Sequence, residues 1–418
     1  MLKINKLHIL TLGAVFMLPN AYALDLGHDV TLKGFGTAGL VYSDNNQADF
    51  VESNYLNPRG VGRTENISAV VDSKIGLQMD WHATSHLSFT AQAVSKQDPT
   101  NSWVPELQWG FAKFKVMPNL DIRAGRIRPA TYMLSDTLDV NYANPWVRPP
   151  VEFYNQNPIQ HMEGVDILYR LQTGSVNWLL QPYYGNSQAS AVSNMQLTAD
   201  NLVGANIVAT VNDFTFRVGY SHASITVNIP QFESVVRPNL QSLCPYDPVA
   251  CVQLASLDPT SKSTHFTSAG AGWDNGNYFL NGEFGWRTSA TAEISDTLSG
   301  YISGGARFGK WTPYVTYSQY AMISPTSFNG GTGPLGDYTN QIVTAVLTSA
   351  SMSQNTKTIG LRYELTNNIA IKGQWDRIDT SLTGGQGTAG GLFRNGTDAF
   401  NNASYSINLF SASVDFIF

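Results

Sequence analysis

Charge is scarce in this 418-residue chain: Asp, Glu, Lys and Arg together supply 13% of it, about half their share in an ordinary soluble domain. With 25 basic against 31 acidic residues and a net charge of −6, it carries no basic footprint for nucleic acid. Beyond the first 23 residues no run approaches the roughly 20 apolar residues of a membrane helix. Cysteine is almost missing as well. Cys244 and Cys251 lie close together in SLCPYDPVAC, a polar stretch with turn-forming prolines, and no third and fourth ligand stands nearby to make a metal site.

Aromatics and glycine are plentiful instead, with 20 Phe, 19 Tyr, 9 Trp and 36 Gly. Few charges, many aromatics and no spanning helix suit a protein that meets lipid through strands. The N-terminus supplies the compartment. Lys3 and Lys6 precede the apolar run LHILTLGAVFML, Pro19 breaks it, and Ala21-Tyr22-Ala23 has the small-x-small form of a signal-peptidase site. Residues 1–23 therefore read as a signal peptide and 24–418 as the mature domain. In an oxidising periplasm Cys244 and Cys251 are expected to form a disulfide that pins a loop.

Alternation sets the architecture. In SAVVDSKIGLQMDWH, Val71, Ile75, Leu77, Met79 and Trp81 share one face, with Ser73 the exception, while Asp72, Lys74, Gln78, Asp80 and His82 share the other. LSFTAQAVSK repeats the pattern after the short connection ATSH, which makes a hairpin. The pattern continues to about 16 strands, over roughly 29–42, 65–82, 85–96, 104–116, 119–127, 162–172, 175–185, 198–211, 213–226, 264–274, 277–289, 295–308, 311–322, 354–365, 368–380 and 404–418. Tight turns such as MPN, QTGS, VND, DNGN, FGK and TNN alternate with long polar segments near 43–64, 128–161, 227–263, 323–353 and 381–403. The expected fold is all-β: a transmembrane, antiparallel, up-and-down β-barrel with short periplasmic turns and long external loops. An even number of strands brings both ends to one side, so the terminal run NNASYSINLFSASVDFIF closes the barrel instead of leaving an open edge.

The leader, the hairpins over the whole mature chain and the final VDFIF resemble the Gram-negative outer-membrane porins. In that family the C-terminal aromatic and the hydrophobic residues at every second position before it are read by the barrel-assembly machinery, which the resemblance assigns to Phe418, Phe416 and Val414. The segment DIRAGRIRPATYMLSDTLDVNYANPWVRPPVEFYNQNP follows a strand and holds the densest charge and aromatic cluster of the chain. It is similar in length to the porin loop that folds inward and narrows the pore. Arg123, Gly125, Arg126, Arg128 and Pro129 also resemble the xRxGRxxxP strand end of phosphate-selective porins, whereas the PEFGG-like loop tip of general porins is missing. The resemblance further implies outer-membrane lipid as surroundings and a homotrimer.

A pore selects by width and by the charges at its narrowest point. Alternation points Arg123 into the lumen and places Arg126 and Arg128 outward, unless a bulge near Gly125 turns them in or they stand above the membrane. The candidate constriction is Arg123, Arg126, Arg128 and Arg148 facing Asp136, Asp139 and Glu152 across the gap; the plainer alternative is a set of ion pairs holding loop to wall. Asp72, Lys74, Lys96, Asp166, Arg170, Arg217, Glu283, Arg287, Arg362, Glu364, Lys372 and Asp376 are further expected lumen positions, with neither sign dominant.

GFGTAG, Gly34 to Gly39, matches a dinucleotide-binding pattern but continues as a strand, so packing in the wall or at a subunit contact explains its glycines better. TGGQGTAGG has no following Lys-Ser/Thr and reads as a flexible loop. His82 and His86 sit at an expected periplasmic turn without a serine nucleophile beside them. No cofactor is implied and the chain does not read as an enzyme. The function expected is passive diffusion of small hydrophilic solutes and ions through a charged constriction. The alternatives are an anion- or phosphate-selective channel, an adhesin or structural barrel, and an outer-membrane hydrolase.

Overall fold

Sixteen strands of alternating polarity close on themselves as an antiparallel barrel. The computed structural model describes residues 23–381 and 392–418, apart from 54, 293 and 350–352. The leader up to residue 22 and the segment TGGQGTAGG therefore lie outside the described residues. In chain order the wall strands are β1 (Val30–Ser43), β2 (Lys74–His82), β3 (Leu87–Lys96), β4 (Glu106–Met117), β5 (Leu120–Ile127), β6 (Met162–Thr173), β7 (Val176–Ser190), β8 (Gln196–Val211), β9 (Phe214–Asn228), β10 (Lys262–Asp274), β11 (Tyr278–Ser289), β12 (Thr297–Ala306), β13 (Trp311–Met322), β14 (Ser353–Thr366), β15 (Ile369–Ser381) and β16 (Ser406–Ile417). Each pairs with its neighbour in sequence, and β1 pairs with both β2 and β16.

The largest departure from the expected spans is at β2, which begins at Lys74 and not near residue 65. Ser73, the residue that broke the alternation, donates its hydroxyl to the Ala69 carbonyl and accepts the Gly39 amide. These local bonds replace the ladder, and Ile67–Ser68 keeps only a short pairing with β1.

Side chains sort by parity. Leu77, Ile167, Val218, Leu280, Phe284, Ile302, Val315 and Ile359 stand outward and exposed, whereas Asp166, Arg217, Glu283, Arg287, Arg362, Lys372 and Asp376 point inward and are buried. Nearer the short turns the outer face carries Trp81 stacked on Phe89 at 5.3 Å, with Phe214, Tyr278 and Trp311. Nearer the long loops it carries Tyr184, Tyr220, Trp286 and Trp375. Apolar residues between two aromatic belts form the surface that lipid covers on a membrane barrel.

The seam explains GFGTAG. Gly34 and Phe418 exchange both backbone hydrogen bonds, at 2.8 and 2.9 Å. The Phe418 ring lies where a Cβ on Gly34 would be, and a Cβ on Gly36 would approach the Phe416 ring to 2.5 Å. Small residues on β1 thus seat the terminal aromatics on the outer face.

The long segments 227–263 and 323–353, read as loops, contain helices. α1 is a single turn, Val151–Tyr154, in the segment between β5 and β6. Between β9 and β10 a turn over Phe232–Val236 leads into α2 (Arg237–Leu243), followed by α3 (Pro248–Leu257), and α4 (Gly333–Ser349) lies between β13 and β14. Phe232, Leu240, Leu243, Ala250 and Leu257 pack with Val343 and Val346, an i, i+3, i+4 pattern that the overall polarity of these segments obscured. Pro248 opens α3, and the Asp247 carboxylate caps it by accepting from the Val249 amide at 3.0 Å. The Cys244–Cys251 disulfide joins the end of α2 to α3.

Candidate pore constriction

The site begins on β5, where strict alternation directs Asp121 and Arg123 into the lumen. There the Arg123 guanidinium grips both oxygens of Asp166 on β6, which also accepts from Gln181 on β7 at 2.7 Å. Gly125 has φ +130°, and a Cβ there would collide with the Gly110 carbonyl, so only glycine fits. No bulge forms, because pairing runs unbroken from Leu120 to Ile127 against β6. Arg126 therefore stays outward, bound to Glu163 at 2.5 Å and to the Leu107 carbonyl at 3.0 Å. It does not join the loop acids. Arg128 lies beyond the last strand residue, is freed from the alternation, and turns inward to Asp139 and to the Ser135 and Gln160 carbonyls.

From Arg128 the segment to 161 crosses the lumen and touches nearly the whole wall. Ala130 accepts from Arg217 on β9, and the Met133 amide donates to Glu283 on β11 at 2.8 Å. The Asn141 and Trp146 carbonyls share the Lys372 ammonium of β15, at 2.7 and 2.8 Å. Tyr142 donates to the Asn367 carbonyl in the turn between β14 and β15 at 2.8 Å, so the loop descends to the short-turn end of the barrel. It then returns. Trp146 bonds Ser303 and Thr316, Glu152 accepts from Ser318, Gln354 and Thr356, and Tyr154 donates to Glu283.

The charges meet in an arrangement that sequence spacing did not reveal. Arg148, on the loop, forks between Asp72 and Asp376 on the wall side, at 2.7 to 2.9 Å, and reaches Ser411 on β16. Asp139, also on the loop, meets Arg128 and Lys96. Burial works against the Asp139 carboxylate, but Arg128, Lys96 and Lys74 outweigh it and hold its pKa well below the usual carboxylate range. Glu152 is buried among hydroxyls and an amide, and its hydrogen bonds come from neutral groups. Asp136 is exposed; among the described residues it forms no hydrogen bond or ion pair, though it lies within electrostatic reach of Arg123.

One flank of the loop is dry. Tyr132, Trp146, Phe153 and Tyr154 pack against inward Phe266, Phe279, Tyr301 and Tyr314 of β10 to β13. Each such ring removes about 150–250 Å² from water, which anchors the loop to that side of the wall. The opposite flank is polar. A small cavity of about 90 Å³ lies among Glu52, Lys74, Lys96, Arg128 and Asp139.

Several residues here had drawn no attention in the sequence. Met133 sits over Gly270, where a Cβ would come within 2.6 Å of its sulfur. Gln156 donates to Ser299, accepts from Thr297, and offers its carbonyl to Arg287. The signal available for the first was Gly270 and Gly272 on the inward face of a strand; Gln156 had none, since its partners are more than 130 positions away.

Comparison with solved structures bears on this geometry. The chain is similar to the outer membrane channel DcaP of Acinetobacter baumannii, at 11% identity over 95% of this chain and 99% of that one, with a TM-score of 0.56. It is similar to Salmonella typhi OmpF, solved with daunomycin, at 12% identity over 95% and 100%, TM-score 0.55. OmpT of Vibrio cholerae matches at 10% identity over 95% and 100%, TM-score 0.52. No family model and no curated protein matches the sequence. The fold is the closed β-barrel of the Gram-negative outer-membrane porins. At 10–12% identity the likeness is one of fold.

Proposed function

We propose that this protein is an outer-membrane channel through which small hydrophilic solutes and ions diffuse, filtered by the segment 128–161 where it narrows the lumen. The observation that carries this is a charged, hydrogen-bonded loop folded inside a closed barrel, with its aromatic flank fixed to one side and Lys74, Lys96, Arg128 and Asp139 lining space on the other. The opposite charges are in direct contact and hold the loop to the wall, so selection rests on the polar, charged rim of the space they leave. Removal of residues 1–23, handling of Val414, Phe416 and Phe418 by the barrel-assembly machinery, and a homotrimeric state belong to the same proposal. Its support is the leader, the outward aromatic belts and the seated terminal rings.

A second function, preference for anions, draws on Arg287. It is buried and inward, and its hydrogen bonds go to carbonyls and a hydroxyl, with no carboxylate in ion-pair contact among the described residues. Single-channel conductance in planar bilayers, with reversal potentials under a salt gradient and phosphate as competitor, decides between them. Ohmic steps with weak ion preference support general diffusion. Strong anion preference with phosphate block supports the selective channel, and absence of conductance overturns both.

A further inference from the structure

Above the loop, at the long-loop end of the barrel, lies a second cavity of about 710 Å³. That is within the roughly 300–1,000 Å³ of sites that hold drug-sized ligands. Its roof is Phe232 and Val236 from the turn before α2 with Ile342 and Val346 from α4, and its side wall includes Leu197 and Val227 from β8 and β9. Roof and side wall are apolar, while Tyr55, Gln231, Asn239 and Tyr338 add neutral polar groups to the lining.

The charged groups that interrupt it carry one sign. Arg287 and Arg394 both line the cavity, and no Asp or Glu does among the described residues. Arg287 is 5% exposed and occupies its donors on the Ser295 and Gln156 carbonyls and the Tyr320 hydroxyl. A buried guanidinium whose partners are neutral retains its full charge in a medium of low dielectric. With its nitrogens engaged by these carbonyls, it offers a carboxylate or sulfonate its charge and not a bidentate fork.

We infer that this vestibule is a capture site for amphipathic organic anions, with the apolar body under the helical roof and the acid group directed to Arg287. Arg287 also holds the Gln156 carbonyl, which ties the floor of the vestibule to the loop in the lumen. The inference rests on the channel proposal only for passage of the anion after capture; binding itself does not depend on conduction.

Calorimetry of the full chain in nonionic detergent tests it, with naphthalene-2-sulfonate as probe, protein-free micelles as blank and 2-naphthylmethylammonium as the cation of similar shape. Saturable binding of the sulfonate is expected, at least tenfold tighter than that of the ammonium. Arg287→Gln weakens it tenfold or more, and Ala345→Trp, which narrows the cavity from α4, weakens it by a similar factor. Equal affinity for sulfonate and ammonium overturns the inference. So does sulfonate binding that survives Ala345→Trp unchanged, or its absence from the wild-type protein. A barrel that conducts without binding defeats only this inference, whereas one that binds without conducting defeats only the channel.

Discussion

Arg148 on the inward loop donates to both carboxylate oxygens of Asp72, at 2.8 and 2.7 Å, while its remaining nitrogen reaches Asp376 at 2.9 Å. One guanidinium thus bridges the segment before β2 and strand β15, on either side of the β1–β16 seam. Replacing Arg148 with Ala leaves two buried carboxylates without their cation, a change that costs about 3–5 kcal/mol. The loss falls on loop docking. Arg148→Ala should therefore show larger and noisier single-channel currents, with unchanged β-sheet content by circular dichroism. A quiet current of wild-type size would refute the role given to this contact.

The seat of Met133 offers a gentler perturbation. A Cβ on Gly270 would press on the Met133 sulfur at 2.6 Å and on the Glu283 side chain at 2.9 Å. Gly270→Val should destabilise the docked loop by roughly 1–3 kcal/mol, the usual cost of overpacking. Conductance and trypsin cleavage within 128–161 should both rise, and barrel melting should stay where it is.

Acid should act on the loop through Asp139. Its carboxylate is held well below the usual range in the docked state by Arg128, Lys96 and Lys74 against the penalty of burial. Undocked, it returns to about 3.9. A lowered native pKa contributes stability that is complete above the undocked value and is lost as pH falls through the docked one. Docking should be flat from pH 7 to about 5 and then weaken by at most about 1.4 kcal/mol per unit. Current noise recorded from pH 7 to 3 measures this, and in Asp139→Asn the dependence should vanish.

At the seam, Phe418→Ala removes the ring that covers Gly34. The ring is partly exposed, so the loss should be roughly 2 kcal/mol, about half that of deleting a buried phenyl. Gly34→Val should hinder closure from the opposite side. Heat-modifiable gel mobility of refolded protein reports both, and full refolding of either variant would argue against the seat.

The helical roof depends on a short covalent link. Cys244 and Cys251 are seven positions apart, and closing so small a loop is worth about 2–3 kcal/mol in the chain-entropy account. Cys244→Ser with Cys251→Ser should expose 229–261 to protease while the barrel melts as before.

Alternation with period two, punctuated by turns, was enough to identify the strands, their order and which side chains enter the lumen, because lipid outside and polar interior impose opposite demands on adjacent residues of every strand. The residues 244 and 251 were likewise close enough in sequence to be paired. The helices over 237–257 and 333–349 were legible only in their apolar spacing, which polar neighbours outweighed. What tertiary structure alone decided is the path of 128–161. Arg126 and Arg128 differ by two positions yet face opposite sides, because the strand ends between them and releases only the second from the pleat. Arg148 finds Asp72 and Asp376 at separations of 76 and 228 residues, and Tyr142 reaches Asn367 at 225. A local pattern records which face a residue takes on its own strand. Where a loop lands inside a closed barrel depends on the whole circumference at once.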